Sequence, residues 1–479
     1  MHAVRGWVRS VRSHGKKGPS FVSVSDGLGS QDVQLTLLAD EASGEAPPRL
    51  GPGSCVWASG RSVERTDGQT EVEVRLSGEE GHRLQLVGAC DAATYPLQKK
   101  AHTPEYLRTE LLHLRPRTRQ CAAVTRLRNA LAFSLHAHLQ AQEFCQVHAP
   151  LLTTNDCEGA GEMFRVVAPS DFAPSQSPVS AEAAAAGAKP APSNSLLPPA
   201  QTFFKSPTFL SVSTQLHLEA FASAMPKVYS FGPIFRADPS NTSNHLSEFW
   251  MLEPELAFAD LSDAMRLCED LIQSSVSSIL ANSSRVQDLD TLTAIASTTT
   301  PSSTATSTAP FSTNRLQQSL KPFAWMTYSE AVQVLGLEWG ADLERKHERF
   351  LCEEHCGGRP LFLTDYPARI KPFYMRANAD ADPARPTVSC MDLLLPGLGE
   401  VAGGSAREER HELLESAMRR SLPKESLKHL QWYLDLRKYG TAPHAGFGIG
   451  FDRLVQHVTG LENIRDVIPF PRAKGRCDL

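Results

Sequence analysis

Through residues 1 to 90 apolar and polar positions alternate with a period of two, broken every few residues by turn formers. Strands are predicted at Gly6 to Val11, Ser20 to Asp26, Val33 to Leu37, Cys55 to Gly60 and Glu71 to Leu76, with SDGLG as a turn. Five short strands of this kind suit a small closed barrel. The period then lengthens, and Val124, Leu127, Leu131, Leu135 and Leu139 mark one face of a helix. A short strand, Phe144 to Val147, follows and runs into Pro150. Further on, Tyr229, Phe231, Ile234 and Phe235 form a β-prone run, and Phe249, Trp250, Met251 and Leu252 form a second one beyond a loop of Asp, Pro, Ser and Asn. That combination predicts an antiparallel hairpin with a long loop. In HAGFGIGFDR, Gly446, Gly448 and Gly450 fall at every second position, on one face of a strand, before a helix predicted over Arg453 to Val458. Segregated strands and helices make the fold α+β. Two tracts interrupt the pattern, one of Ala, Pro and Ser near 167–200 and one of Ser and Thr near 283–316. Neither carries enough apolar surface to offset the entropy of ordering, so both are expected to be disordered insertions without a catalytic role.

Candidate chemistry concentrates at the mouth of the hairpin. Arg236 closes its first strand, while His245, Glu248 and Phe249 open the second. A guanidinium holds phosphate oxygens bidentately, and an aromatic face stacks a purine. A strand face without side chains lets a flat ligand approach the backbone. Taken singly, Arg236 reads as a surface ion-pairing residue and the glycines as a bulge or a tight packing site. Together they point to nucleotide binding.

The segment FGPIFRADPSNTSNHLSEFWMLEPELAF resembles the second signature motif of the class II aminoacyl-tRNA synthetases, and HAGFGIGFDR resembles the third. The helix and strand ending at Pro150 resemble the first, which in that family builds a dimer interface. NDCEGAGEMF at Asn155, FFKSPTFLSVSTQLHLE at Phe203 and KPFYMR at Lys371 place the resemblance in the aspartate, asparagine and lysine subgroup. The fold implied is an N-terminal OB-type barrel over 1–90, a hinge over 91–119 that includes KKAHTPEYLR, and a catalytic domain over 120–479. The resemblance implies ATP as substrate, stacked on Phe249, with Arg236 at its α-phosphate and His245 and Arg453 at its γ-phosphate. Gly448 and Gly450 would line this site, and Asp392 and Glu400 in MDLLLPGLGE would carry Mg2+. Glu158 and Gln215 would meet the amino-acid ammonium, and Arg236 and Arg453 would be the catalytic cations.

Aspartyl members of the subgroup carry a lysine in the pattern SPQLYKQ, as countercharge to the substrate carboxylate. Here STQLHLE puts Leu218 at that place and Glu219 beside it. A carboxylate substrate would be repelled, whereas an amide donates its NH2 to Glu219 and accepts from Arg407. The resemblance therefore favours the asparaginyl enzymes of bacterial and organellar type, acting on tRNA(Asn) and L-asparagine, over the aspartyl enzymes. A synthetase-like tRNA-binding chain without catalysis is the third reading, disfavoured by the joint presence of Arg236, Glu248, Glu400, Arg407 and Arg453. On the barrel, the positions matching anticodon contacts are Phe21 for stacking and Gln34 for hydrogen bonds to a base edge. Four positions depart from the family pattern, with Asn244 for Arg, Asp238 and Asp452 for Glu, and Thr214 for Gly.

Composition changes this picture little. A net charge of -5 argues against an indiscriminate nucleic-acid binder, although Arg5, Arg9, Arg12, Lys16 and Lys17 cluster without an acid, as a phosphate backbone would require. The cysteines are scattered, and Cys352 and Cys356 have no second pair to complete a metal site, so free thiols in a reduced compartment are expected. No apolar run approaches the ~20 residues of a membrane span. Bacterial-type motifs beside eukaryote-like tracts point to the mitochondrial matrix, with a bacterial cytoplasm or a plastid as the alternatives, and no transit peptide is visible, because Gly6-Trp7-Val8 already reads as a strand.

Overall fold

The computed structural model describes residues 2–14, 18–38, 49–64, 70–75, 80–97, 103–155, 162–172, 196–299, 313–379 and 381–479. The chain divides into two compact units, one of Met1–Asn129 with Ile279–Phe311 and Asp478–Leu479, the other of Ala130–Ser278 with Ser312–Cys477.

In the first unit, β1 (His2–Ser13), β2 (Ser20–Ser25), β3 (Val33–Leu38), β4 (Cys55–Glu64) and β5 (Thr70–Arg75) pair in the order β1-β2-β3-β5-β4, and β4 returns to β1. The closed five-stranded barrel expected from the alternation is present. Only β3 and β5 run parallel; a sixth strand, β6 (Arg83–Gly88), adds antiparallel to β4 and was not foreseen, although Leu84 and Leu86 alternate in it. The core is every second residue, with Val22, Val24, Leu35, Val56 and Val72 among those packed together. Phe21 and Gln34 belong to the opposite, outward set, for Phe21 stands across from Thr36 and Gln34 from Ser23. Phe21 meets the His14 ring edge-on at 5.9 Å.

The tract near 283–316 is not uniformly disordered. Ser283–Thr299 is an α-helix, with Leu289 and Leu292 buried and Asp288 fully so. The Asp288 carboxylate accepts two hydrogen bonds from Arg126 Nε, at 3.0 and 3.2 Å, and pairs with Arg285 at 2.9 Å. The apolar spacing was there to read, but Ser and Thr outnumbered it; the tract's last residues belong to a second helix, Thr313–Gln318, while 300–312 lies outside the described residues, as does 173–195 of the other tract. Asp288→Ala strips two arginines of their shared anion. It is expected to cost about 2–3 kcal/mol, below the ~3–5 of a fully buried pair because both arginines are partly exposed. Urea unfolding checks it, and a loss under about 0.5 kcal/mol would contradict it.

The second unit is built on an eight-stranded sheet. Its strands are β7 (Cys145–Gln146), β11 (Lys227–Phe235), β12 (Glu248–Ala257), β13 (Ala324–Thr327), β14 (Leu361–Thr364), β15 (Cys390–Leu395), β16 (Gly399–Ala406) and β17 (His444–Gly450), in the order β13-β14-β15-β16-β17-β12-β11-β7. Leu152–Thr153, Arg165–Val166 and Thr208–Leu210 (β8 to β10) make a small separate sheet. The predicted hairpin is β11 with β12, paired from Lys227 opposite Leu256 to Phe235 opposite Glu248. The glycine strand β17 lies between β12 and β16, and the helix after it spans Phe451–Thr459, two residues earlier at its start than expected.

Strand alternation sorts the large sheet into two faces. Leu252, Ile449, Ala402 and Leu393 stand in one row across β12, β17, β16 and β15, and all are buried. The opposite face carries Phe249, Met251, Glu253, Glu255, the three glycines and Gly403, and it faces an open cleft. The helix Arg119–Ala141 buries Val124, Leu127, Leu131, Leu135 and Leu139, as its periodicity predicted. On that helix His136 and Gln140 reach the Tyr229 hydroxyl of β11, at 2.9 and 3.2 Å.

Candidate active site

The cleft holds about 480 Å3 and is floored by the polar face of the sheet. At one end stand Arg236, Phe249, His245 and Arg453, which the sequence had singled out. Arg236 closes β11 with its guanidinium 5.6 Å from the centre of the Phe249 ring. His245 lies in the hairpin loop, its Nδ1 2.6 Å from Thr242 Oγ1 and its Nε2 3.5 Å from Asp238. Arg453, in the first turn of the terminal helix, donates to the Glu400 carbonyl at 2.5 Å. Gly448 and Gly450 line the same wall. A Cβ at 448 would lie 2.3 Å from Met251 Cε, the end of a flexible side chain that would have to turn aside. Arg236 and Arg453 face this end of the cleft with His245 beside them, which favours an anionic ligand.

Across the floor, Asp392 on β15 and Glu400 on β16 converge above Gly403. A Cβ built there would sit 3.4 Å from Asp392 Oδ1 and 3.5 Å from Glu400 Oε1. Lys371 donates to Asp392 Oδ2 at 2.8 Å. Behind them Glu348 is pushed up to about 7 by burial and by the Glu400 carboxylate.

At the other end, Arg407 forms a bidentate pair with Glu255, Nε to Oε1 at 3.0 Å and Nη2 to Oε2 at 2.8 Å, and its Nη1 donates to Ser405 Oγ at 2.9 Å. Both side chains line the cleft, although Glu255 is 1% and Arg407 3% exposed. Burial alone would lower the Arg407 pKa, but Glu255 and Glu219 more than reverse it, so the guanidinium stays charged. Gly446 makes room for the pair, since a Cβ at 446 would fall 1.9 Å from Glu255 Oε2. The glycine face is thus only partly bare, with Glu255 lying over it.

Glu219 is where the sequence expectation fails. It does not line the cleft. Its carboxylate accepts from Gln215 Nε2 (3.0 Å), Tyr433 Oη (2.7 Å), Arg437 Nη2 (2.5 Å) and His444 Nε2 (3.0 Å). Those four partners use the acceptor capacity of a carboxylate, leaving nothing for a substrate amide. Burial would raise its pKa, yet Arg437 and His444 outweigh that and hold it well below the usual carboxylate range. The ligand atoms of Glu219, Glu255 and His444 lie within 4.8 Å of one another, but Arg407 and Arg437 already neutralise both carboxylates, which disfavours a metal there. Glu255, on the strand face beside Arg407, lines the cleft where Glu219 was expected to. Its signal was available, because Glu253-Pro254-Glu255 puts two carboxylates on one strand face.

Gln215 and Leu218 line the cleft as expected, and Glu158 lies outside the described residues. Thr214, which stands where the family pattern has Gly, turns its hydroxyl to Glu253 Oε2 at 2.5 Å and donates its amide to the same carboxylate. Asp452 accepts from the Trp250 amide at 2.8 Å, tying the terminal helix to β12. Asn244 lines the cleft wall.

The family described as tRNA synthetases class II (D, K and N) matches residues 104–474. The asparagine–tRNA ligase of Protochlamydia amoebophila is 42% identical over 99% of this chain and 95% of its own. The chloroplastic/mitochondrial asparagine–tRNA ligase of Arabidopsis thaliana is 41% identical over 99% of this chain and 80% of its own. Among solved structures, the asparaginyl-tRNA synthetase of Pyrococcus horikoshii complexed with asparaginyl-adenylate superposes with a TM-score of 0.78 at 29% identity, covering 99% of this chain and 96% of that one. With its barrel, its sheet and the cleft floored by the glycine strand and the hairpin, the chain belongs to the class II tRNA synthetases for aspartate, lysine and asparagine, and within them to the asparagine–tRNA ligases.

Proposed function

We propose that the cleft carries out asparagine activation with ATP, with the side-chain amide of L-asparagine read by Arg407 and Glu255. The Arg407–Glu255 pair in the cleft carries this reading. Arg407 has N–H groups left after its three bonds, and they suit an amide oxygen; Glu255 retains lone pairs that suit an amide NH2. Around this end the cations Arg407 and Arg437 are matched by the carboxylates Glu255 and Glu219. An aspartate side chain would add an uncompensated buried charge, which is costly.

ATP lies along the other end, its adenine on Phe249, its α-phosphate at Arg236 and its γ-phosphate at Arg453 and at His245 once that side chain leaves Thr242. Asp392 and Glu400 fit Mg2+, since both are hard oxygen donors aimed at the space a side chain at 403 would fill. Bound there, the ion supplies charge neutralisation to the triphosphate. Gln215 positions the asparagine ammonium. The asparagine carboxylate attacks the α-phosphorus, the bond to the β-phosphate oxygen breaks, and asparaginyl-adenylate and pyrophosphate form. A terminal ribose hydroxyl of tRNA(Asn) then attacks the acyl carbon and AMP leaves. No nucleophile from the protein is needed; alignment and fixed charge lower the barrier.

Three further assignments belong to the same reading. Phe21 and Gln34 share the outward barrel face with Thr36 and Ser23, where bases stack and pair with polar side chains. Phe21→Ala is expected to raise the KM for tRNA(Asn) roughly 10- to 100-fold, as one lost stacking platform does, while asparagine-dependent pyrophosphate exchange stays unchanged. Aminoacylation of tRNA(Asn) transcripts, with and without anticodon substitutions, tests it; loss of exchange in the same variant would overturn the assignment. A homodimer is supported by the apolar groove of Val147, Ala149, Pro150, Phe221, Met225 and Trp432 beside the first motif, and sedimentation velocity reads it directly. The mitochondrial matrix is supported by the bacterial-type motifs together with the organellar relative, and localisation of a tagged full-length chain tests it.

A further inference from the structure

The turn between β15 and β16, from Leu395 to Gly399, carries Glu400 into the cleft. It is short and conformationally demanding, with Gly397 at φ 82° and Gly399 at φ 87°. Its own backbone supplies one bond, Leu398 N–H to the Leu395 carbonyl at 3.1 Å. Two more come from a neighbouring segment, the helix Arg345–Phe350 and the wide turn Leu351–His355 that continues it. Glu353 Oε1 accepts from the Gly397 amide at 2.9 Å, and Glu348 Oε2 accepts from the Glu400 amide at 3.3 Å. The fit at Gly399 is close, since a Cβ there would lie 2.2 Å from Glu348 Oε2. Arg349 braces Glu353 at 3.2 Å, and Leu351 and Cys352 anchor the segment in a buried cluster with Leu361 and Leu363. Neither Glu348 nor Glu353 lines the cleft.

We propose that Glu348 and Glu353 are positioning residues of the adenylation site, holding the Gly397–Glu400 turn by its amides and so fixing where Glu400 presents its carboxylate to magnesium-bound ATP. The proposal rests on the reading that this corner of the cleft takes the triphosphate. Glu348 lies close enough to the Glu400 carboxylate to be repelled by it, and its bond to the Glu400 amide offsets that repulsion. A misplacement of about 1 Å at a charged contact is enough to be felt in the rate. The amino-acid end of the cleft is held by other elements, so the effect divides between the two substrates.

Four full-length proteins test this: wild type, Glu348→Ala, Glu353→Ala and Glu348→Gln, the last keeping an oxygen that accepts the same amide. In asparagine-dependent pyrophosphate exchange the two alanine variants are expected to raise the KM for magnesium ATP about tenfold, the fold-change of one lost charge-assisted hydrogen bond. The KM for asparagine stays within about twofold, and Glu348→Gln stays near wild type. Two readouts do not depend on turnover. Binding of Mn2+ to the protein with ATP, followed by electron paramagnetic resonance, weakens about tenfold in the alanine variants, and amide hydrogen exchange of the turn quickens. Unchanged Mn2+ binding and unchanged turn exchange in both alanine variants would overturn the proposal. So would a Glu348→Gln as impaired as Glu348→Ala, because charge rather than the acceptor would then matter. Should the wild type fail to exchange with asparagine, the functional reading falls, while hydrogen exchange of the turn still decides the clamp.

Discussion

Glu255→Gln is expected to lower kcat/KM for asparagine roughly 10- to 100-fold and to raise that for aspartate, narrowing the preference from both sides. The carboxylate is one half of a bidentate pair with Arg407, 1% exposed and 2.8 Å from Nη2. Replacing it by an amide removes the acceptor suited to the substrate NH2, and a hydrogen bond to a charged group is worth about 1.5–3 kcal/mol. It also leaves Arg407 without its partner, and an aspartate carboxylate supplies one. Buried charge makes such a site discriminate by what it leaves unpaired as much as by what it binds. Steady-state exchange with each amino acid measures the ratio, and a thermal melt within a few degrees of wild type shows that the loss lies in the site. A ratio unmoved by Glu255→Gln, but moved by Glu219→Gln, would return the reading to the helix Gln215–Ala222.

Arg453→Ala is expected to act at the opposite end of the cleft and to be indifferent to the amino acid. Its guanidinium lines the end of the cleft proposed for the triphosphate and donates to the Glu400 carbonyl at 2.5 Å. Removing one preorganised cation from a site that works by charge stabilisation costs about 10^2- to 10^3-fold in rate. The loss appears in kcat/KM for ATP with asparagine or aspartate alike, and the ratio of the two stays as in wild type. The two variants therefore separate selectivity from chemistry within one cleft. If Arg453→Ala altered the amino-acid ratio instead, the division of the cleft into a triphosphate end and an amide end would be wrong.

Much of this architecture was legible because its signals are local. A period of two gave the barrel strands, whose buried set Val22, Val24, Leu35 and Val72 is the alternate set in the sequence. A helical period gave Val124 to Leu139, and the spacing of Gly446, Gly448 and Gly450 gave the glycine strand, though not the Glu255 side chain that lies over part of it. What was misread needed partners distant in the chain. Glu219 and Leu218 are neighbours in sequence, but successive residues on a helix point about 100° apart, so Leu218 faces the cleft while Glu219 turns to Tyr433 and Arg437 more than 200 residues away. The helix Ser283–Thr299 was hidden by its Ser and Thr content, and its buried Asp288 has its partner at Arg126. Glu255 was in plain view in the hairpin, yet its role depends on Arg407, which only the pairing of β12, β17 and β16 brings beside it. The departure at Thr214 likewise needed a distant partner to be read, for its hydroxyl is spent on a hydrogen bond to Glu253.

The central claim, that this cleft activates asparagine, is tested most directly by ATP–pyrophosphate exchange with asparagine and aspartate side by side, using Arg453→Ala as the blank. Exchange with asparagine, little with aspartate and almost none in the blank is the predicted result. Exchange driven by aspartate would contradict the assignment of the Arg407–Glu255 end, and no exchange with either would contradict the activity itself.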